Sequence, residues 1–130
     1  MRASKEFKEI EIIHPMVNKR GLGILDGNLE EMMDEISKAR SLGKGIYAMK
    51  VLGGGHLISQ YEDALTWAAS QDSFDSIAVG MQSESEVLAN VSTILGKKIP
   101  EEIKNKLMTT NRKIDVEEYC IGCGKCKDRC

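Results

Sequence analysis

Three short apolar segments alternate with amphipathic segments along the chain, and this alternation constrains the fold more than any other feature of the sequence. The apolar segments, residues 9–14, 46–52 and 76–79, have the length and composition of β-strands. The segments that follow them repeat apolar residues with the period of a helix. Strands that alternate with helices at intervals of roughly thirty to thirty-five residues indicate parallel βαβ units. The sequence therefore predicts an α/β fold with a parallel sheet.

Capping signals mark the ends of the predicted helices. Asn28 and Glu31 have the spacing of a capping box, and Gly43 predicts the end of the first helix. Ser83 and Glu86 predict a second capping box. The helix that follows Ser83 carries apolar residues on one face: Val87, Leu88, Val91, Ile94 and Leu95. Pro100 fits the first turn of a further helix at residues 101–108, and the lysine-rich run 97–113 is interpreted as a solvated helix face.

The predicted strands differ in their expected surroundings. Residues 46–52 are almost continuously apolar, with Lys50 as the exception, which is typical of a parallel strand covered on both faces. The first strand is expected to end at Pro15, because proline cannot donate a hydrogen bond to a neighbouring strand.

The composition excludes several classes of protein. The chain has 130 residues, of which 42% are hydrophobic and 29% charged, with a net charge of −2, so it suits one globular domain. No basic stripe predicts binding to nucleic acid or to a membrane surface. The sequence contains no segment of the signal-peptide type and no apolar run of about 18 residues. Cysteines without an export signal indicate reduced thiols, and we expect a cytoplasmic protein.

Glycine-containing loops follow the second and third predicted strands. Gly53–Gly55 follow the second strand, and Gly80 precedes the helix that begins at Ser83. Ligands bind at the carboxyl ends of parallel strands, and glycines let backbone N–H groups approach a phosphate, so the two loops together predict a phosphate site. Each loop alone is also explained as a turn or a helix cap. Lys50 either pairs with a pyrophosphate or covers the strand end, and the sequence leaves both interpretations open.

All the cysteines lie near the end of the sequence, at Cys120, Cys123, Cys126 and Cys130. Their spacing, C-x2-C-x2-C-x3-C, is that of the bacterial ferredoxin run, whose thiolates hold a [4Fe–4S] cluster. Gly122 and Gly124 leave room for backbone N–H groups to point at the sulfurs. A structural zinc ion is the chief alternative, since four thiolates also suit tetrahedral Zn²⁺. Whether Cys130 closes this cluster or ligates a second one stays open.

The segments GKGIYAMKVLGGGHL and ALTWAASQDSFDSIAVGMQSESEVLANV resemble the C-terminal part of the aldo/keto reductase superfamily, in the branch that appends a ferredoxin-like iron–sulfur motif. Residues 50–53, 64–67 and 80–90 stand where that family has Pro-Leu-Gly, Ala-Leu-x-Trp and Gly-Ala-Ser-x-x-Glu-Gln-Leu-x-Glu-Asn segments. The resemblance covers residues 9–95. Gln82 replaces the usual Ser, Ser85 replaces Glu, and Ala89 replaces the Glu before Asn90.

The resemblance implies that residues 1–96 form strands six to eight of a (β/α)8 TIM barrel, residues 97–118 a helix and linker, and residues 119–130 the [4Fe–4S] motif. It also implies a nicotinamide-dinucleotide site. The residues near the pyrophosphate would be Leu52, Gly53 and Gly54, and those near the adenosine Gly80, Gln82, Ser83, Glu86 and Asn90. No Arg or Lys lies between Gly80 and Asn90 to neutralise a 2′-phosphate, which argues against a preference for NADP.

The family's catalytic Asp, Tyr, Lys and His come from strands one to four, and Tyr47, Tyr61 and Tyr119 match no proton-donor motif. We therefore expect the C-terminal segment of an iron–sulfur oxidoreductase that has no turnover by itself. Three parallel strands leave two open sheet edges, so self-association is expected. The alternatives are a small [4Fe–4S] electron-transfer protein and a zinc-stabilised interaction module.

Overall fold

The computed structural model describes residues 6–108 and 118–124, which form a mixed α/β structure. In chain order, its elements are β1 (Ile12–Ile13), α1 (Leu29–Ser41), β2 (Gly45–Ala48), α2 (Tyr61–Ala69), β3 (Ser76–Ile77), α3 (Glu84–Ile94) and α4 (Glu101–Met108). Two 3₁₀ turns, Gly53–Gly55 and Ile58–Gln60, connect β2 to α2. The predicted alternation of strands and helices is confirmed.

Helix α1 begins and ends where its capping signals predict. The Asn28 side chain accepts a hydrogen bond from the Glu31 N–H at 3.1 Å, and the Glu31 carboxylate accepts one from the Asn28 N–H at 3.0 Å. At the other end, Gly43 follows the helix with a φ of 81°, a conformation that glycine adopts without steric penalty. Local sequence therefore determines both ends of α1.

The strands form one parallel sheet whose spatial order, β1-β2-β3, follows the chain. The register pairs Ile12 with Gly45, Ile13 with Ile46, Tyr47 with Ser76, and Ala48 with Ile77. Consecutive strands are neighbours, as expected when each strand and its following helix form one repeating unit.

The first strand ends before Pro15, as expected, but parallel pairing with the second strand resumes beyond the proline. The Met49 N–H donates to the Pro15 carbonyl oxygen at 2.9 Å, and the Val17 N–H donates to the Met49 carbonyl oxygen at 3.0 Å. Met16 forms an isolated parallel bridge with Met49. Because the pairing uses the carbonyl of Pro15, the N–H that proline lacks is not needed.

The main hydrophobic core lies on one face of the sheet. Ile46 and Ala48, which are two residues apart in β2, point to this face. The buried residues of the cluster are Ile13, Val17, Ile36, Ala39, Ile46, Ala48, Val51, Leu65 and Ala68. Since α1 and α2 both contribute to this one cluster, the two helices pack on the same face. Burial of each larger side chain contributes about 1.5–3 kcal/mol to folding.

The opposite face of the sheet has no cover from the described residues. Tyr47, between the buried Ile46 and Ala48, is 40% exposed, and Ile12 is 67% exposed. The His14 ring stacks on Tyr47, with 4.4 Å between ring centroids and 3° between ring planes. The expectation that residues 46–52 are covered on both faces is therefore wrong for this part of the chain. An apolar run shows that both faces tolerate burial, but not that a neighbour is present.

The apolar face of α3 is also exposed. Its residues are between 42% and 59% exposed: Val87, Leu88, Val91, Ile94 and Leu95. Helix α3 instead buries Ala89 and Asn90. Ala89 packs with Ile99 and Ile103 in a second, smaller core, against which Tyr61 lies. Helix α4 therefore joins α2 and α3 on one side and leaves the apolar face of α3 without a neighbour among the described residues.

The C-terminal boundaries fall only partly within the described residues. Helix α4 has its predicted bounds, 101–108. Most of the predicted linker, 109–117, and the end of the predicted cluster motif, 125–130, lie outside them. In residues 6–108 and 118–124, no helix has the length and apolarity needed to cross a bilayer.

Candidate functional site

The loop after β2 is built from residues in the left-handed backbone region. Lys50 has a φ of 58°, and its carbonyl oxygen accepts a hydrogen bond from the Gly53 N–H at 2.7 Å. Gly53 and Gly54 follow with φ of 59° and 66°. A side chain at Gly53 would lie 3.1 Å from Leu22, whereas one at Gly54 would meet nothing within 4 Å. Gly53 is thus required by packing as well as backbone conformation, and Gly54 leaves open space beside the backbone.

The loop after β3 leads into the N-terminus of α3. The Ser83 hydroxyl accepts a hydrogen bond from the Glu86 N–H at 3.2 Å, as predicted for a helix cap. The Glu86 carboxylate, however, accepts its bond from the Gln82 N–H at 2.7 Å, one residue before the predicted partner. The reciprocal capping box expected here is therefore shifted by one residue. The shift holds the Glu86 carboxylate against the loop.

The two loops meet at the carboxyl ends of β2 and β3. They form a cleft of about 370 Å³ whose lining includes Lys50, Leu52, Gly54, Gly80 and Glu86. This is the edge at which parallel α/β sheets place their ligands.

A second cleft adjoins the first and extends over α2, α3 and α4. Its volume is about 540 Å³, and it shares Leu52, Ile58, Gly80 and Glu86 with the first cleft. Its other lining residues are Ser59, Tyr61, Glu62, Ala89, Asn90, Lys104 and Leu107. The two clefts therefore form one continuous surface, which we call the double cleft. Most of its second half is apolar, with a few polar groups, as in many small-molecule sites.

The double cleft brings together most of the residues predicted to bind a cofactor: Leu52, Gly54, Gly80, Gln82, Glu86 and Asn90. Gly53 is buried within the loop and does not line the double cleft. Ser83 is the helix cap and is likewise not among the lining residues. These two residues support the loops and do not face the space between them.

The second cleft brings together three charged or ionisable side chains, Tyr61, Glu62 and Lys104, which the sequence analysis did not predict to be neighbours. Lys104, interpreted there as part of a solvated face, extends from α4, and its Nζ lies 3.7 Å from Glu62 Oε1 on α2. Burial, and next the neighbouring Glu62 carboxylate, raise the pKa of Tyr61 to about 12. Tyr61 therefore stays a neutral phenol near pH 7. The sequence carries no signal for this group, because Lys104 of α4 reaches Tyr61 and Glu62 of α2 only through the packing of the two helices.

The cysteine motif lies partly within the described residues. Cys120 and Cys123 are exposed, whereas Cys126 and Cys130 fall outside the described ranges. Gly122 and Gly124 have φ of 65° and 74°. Glycines in this conformation allow backbone N–H groups to approach a bound anionic group closely. Among residues 6–108 and 118–124, no group of three or more His, Cys, Asp or Glu side chains is placed to hold a metal ion. The described part of the predicted ligand set is two exposed thiols, a donor type that suits iron–sulfur clusters and zinc.

No family model matches the sequence, and comparisons with curated proteins and with solved structures find no match. The fold and the double cleft define a parallel βα protein with a cleft at the carboxyl ends of its strands. Any more specific function rests on the residues of that cleft.

Proposed function

We propose that this chain is the C-terminal βα portion of an aldo/keto-reductase-like oxidoreductase that binds a nicotinamide dinucleotide and carries an iron–sulfur cluster on its tail. The observation that carries the proposal is the double cleft. Residues expected at the pyrophosphate and at the adenosine come from loops after two different strands, yet they line one surface. A dinucleotide is a ligand long enough to need both halves.

The topology supports a portion of a (β/α)8 barrel. In such barrels the strand order follows the chain and the helices pack on the outer face. The strand order β1-β2-β3 and the shared core of α1 and α2 have this arrangement. Doubly wound sheets instead reverse their strand order and carry helices on both faces. The face with Ile12 and Tyr47 would then be the barrel interior, and the exposed face of α3 would contact the next βα unit.

The roles of the residues follow from their positions in the double cleft. A bound nicotinamide dinucleotide supplies hydride-transfer chemistry. Gly54 lets the backbone approach the pyrophosphate, and Lys50 brings a positive charge to the same half. Gly80 lies where the two halves meet, on the side of the adenosine. Asn90 and the neutral Tyr61 provide hydrogen-bonding groups for the nucleoside half. The acid and base of the reaction would lie in barrel units other than these three, so this chain binds the cofactor but does not turn over substrate.

The tail would hold a [4Fe–4S] cluster through Cys120, Cys123, Cys126 and Cys130. The ferredoxin-type spacing and the left-handed Gly122 and Gly124 support this assignment. The cluster supplies one-electron chemistry when bound. Because its ligands must stay reduced, we place the protein in the cytoplasm.

Metal analysis of anaerobically purified protein tests the cluster. We expect about four iron and four acid-labile sulfide atoms per chain, as in a [4Fe–4S] centre. Cys120→Ser should lose most of the iron, whereas the neighbouring Tyr119→Phe should retain it. Zinc without sulfide in the wild-type protein would contradict the cluster and favour the zinc-stabilised module.

Activity measurements test the assignment to a barrel portion. We expect no reduction of common aldehydes with NADH or NADPH, since the catalytic acid is not supplied by these units. Robust turnover would contradict it.

A small electron-transfer protein is the second candidate, and the exposure of Cys120 and Cys123 favours it. Saturable dinucleotide binding separates the two candidates, because an electron-transfer protein of this kind has no need of the double cleft.

A further inference from the structure

The two halves of the double cleft differ in charge. The first half combines Lys50 with the glycine backbone of both loops. The second half is lined largely by apolar groups and carries Glu62 and Lys104, with Glu86 at the boundary that both halves share. A dinucleotide has a charged pyrophosphate in its middle and, in NAD(H), an uncharged adenosine ribose beside it. Because Glu86 lines both halves, the second half differs from the first by the additional carboxylate of Glu62 and by Lys104 in place of Lys50. The pyrophosphate is therefore matched to the half with fewer carboxylates, and the neutral ribose to the half that contains Glu62 and Asn90.

Lys104 is already paired. Its Nζ lies 3.7 Å from Glu62 Oε1, and the two side chains are 38% and 53% exposed. It is the one cationic side chain among the described residues that line the second half. Glu62 lies on α2 and Glu86 on α3, so this half has a carboxylate on each of two sides.

A 2′-phosphate would carry close to two negative charges near neutral pH. In the second half it would meet two carboxylates and a lysine engaged by one of them. A free ribose 2′-hydroxyl, in contrast, donates a hydrogen bond to a carboxylate, which is how acidic residues select NAD over NADP in other dinucleotide sites.

We propose that the double cleft selects NAD(H) over NADP(H), and that Glu62 is the residue that determines this selectivity. The inference rests on the proposed dinucleotide function and deepens it by choosing the cofactor. The Glu62 carboxylate accepts a hydrogen bond from the ribose 2′-hydroxyl and repels a 2′-phosphate. It also holds Lys104 in an ion pair, which keeps that lysine from a 2′-phosphate.

Calorimetric titration of the full chain with NAD⁺ and with NADP⁺ tests the inference. We expect the wild-type chain to bind NAD⁺ about tenfold or more tightly than NADP⁺, the effect of one unfavourable charge contact. Glu62→Gln should narrow this ratio by freeing Lys104, and Glu62→Lys should bring it to unity or reverse it through a gain in NADP⁺ affinity. Glu101→Gln removes an exposed carboxylate of α4 that does not line the cleft, and should leave the ratio unchanged.

The outcomes separate the inference from the proposed function. Tighter binding of NADP⁺ by the wild-type chain would overturn the selectivity and leave the dinucleotide function standing. A ratio that Glu62→Lys does not change, in a variant with wild-type circular dichroism, would overturn the role of Glu62. Binding of neither nucleotide at millimolar concentration by the folded chain would overturn both.

Discussion

Lys50 combines an unfavourable backbone conformation with a position in the double cleft. It is the one non-glycine residue with a positive φ among the described residues, at 58°. The left-handed conformation costs a residue with a side chain about 1–2 kcal/mol. Such strain is found at binding sites more often than elsewhere. A strand end that needed only a turn would be better served by glycine.

We therefore predict opposite effects of Lys50→Gly on stability and on binding. The free energy of unfolding should rise by about 1 kcal/mol in urea denaturation, because glycine adopts the conformation without strain. The affinity for NAD⁺ should fall severalfold with the loss of the charge. Lys50→Ala is the matched control, since it loses the charge without relieving the strain. Unchanged affinity in both variants would mean that Lys50 only covers the strand end.

Asp75 connects the end of α1 to the middle strand. Its carboxylate accepts the Ile46 N–H at 2.8 Å and lies 2.5 Å from the Arg40 guanidinium. The hydrogen bond from Ile46 holds the pKa of Asp75 below its ordinary value of 3.8, with Arg40 as a smaller cause that partial desolvation opposes. Because the folded pKa is lowered, the stabilisation is fully present above pH 3.8 and is lost as the pH falls through the folded value.

NMR titration of the Asp75 carboxyl group provides the test. We predict a pKa below 3.8 in the wild-type protein and a partial rise in Arg40→Gln, since the Ile46 N–H remains in place. A return to the ordinary pKa in Arg40→Gln would show that the ion pair, and not the backbone hydrogen bond, is the main cause.

At the residue scale, the sequence predicts interactions between residues that are only a few positions apart in the chain. The Asn28–Glu31 capping box is found as predicted because its partners are local. The Glu62–Lys104 pair joins residues 42 positions apart through the packing of α4, and no local pattern indicates it. The shift of the Glu86 hydrogen bond to Gln82 depends on the path of the loop, which the capping pattern does not specify.

At the element scale, α3 presents an apolar face that the described residues leave exposed. Val87, Leu88, Val91, Ile94 and Leu95 are each more than 40% exposed. Contiguous apolar surface of this kind drives association in water.

We predict that the chain associates with increasing concentration and that Leu88→Gln with Val91→Gln weakens this association. Sedimentation equilibrium measures it, and the free energy of unfolding extrapolated to low concentration should change little. Leu25→Gln, at a side chain that is 99% exposed and far along the chain from α3, is the control. A monomer at all accessible concentrations would contradict the prediction.

The contact between α3 and α4 is buried, and a substitution there is expected to change stability. Ile103 of α4 is 5% exposed and packs with Ala89. Ile103→Ala should lower the free energy of unfolding by about 2–4 kcal/mol, the usual cost of a truncated core residue. Because α4 lines the second half of the double cleft, the affinity for NAD⁺ should fall as well. An unchanged affinity together with reduced stability would separate α4 from the binding site.

Helix periodicity correctly predicted which residues form the apolar face of α3. It gave no information about which element, if any, packs against that face. The same holds for Tyr47 in β2, whose apolar surroundings in the sequence suggested burial on both faces. A pattern records which faces can be buried, whereas the cover must come from other elements. The start of α4, in contrast, was predictable because Pro100 and the glutamates after it are local signals.

At the scale of the whole molecule, the sequence was sufficient to predict the alternation of strands and helices and to identify the loops that line the double cleft. The volume of the cleft and its division into two halves of different charge depend on how α2, α3 and α4 pack, which no motif encodes. The three βα units form a core on one sheet face, and the second face is exposed among the described residues.

The central claim is that the double cleft binds a nicotinamide dinucleotide. Two-dimensional ¹H–¹⁵N NMR of the full chain, titrated with NAD⁺, tests it most directly. The account predicts saturable shifts concentrated on the backbone amides of Gly54, Gly80, Gln82, Glu86 and Asn90, with residues of α1 unaffected. The absence of shifts, or shifts confined to residues outside the double cleft, would contradict it.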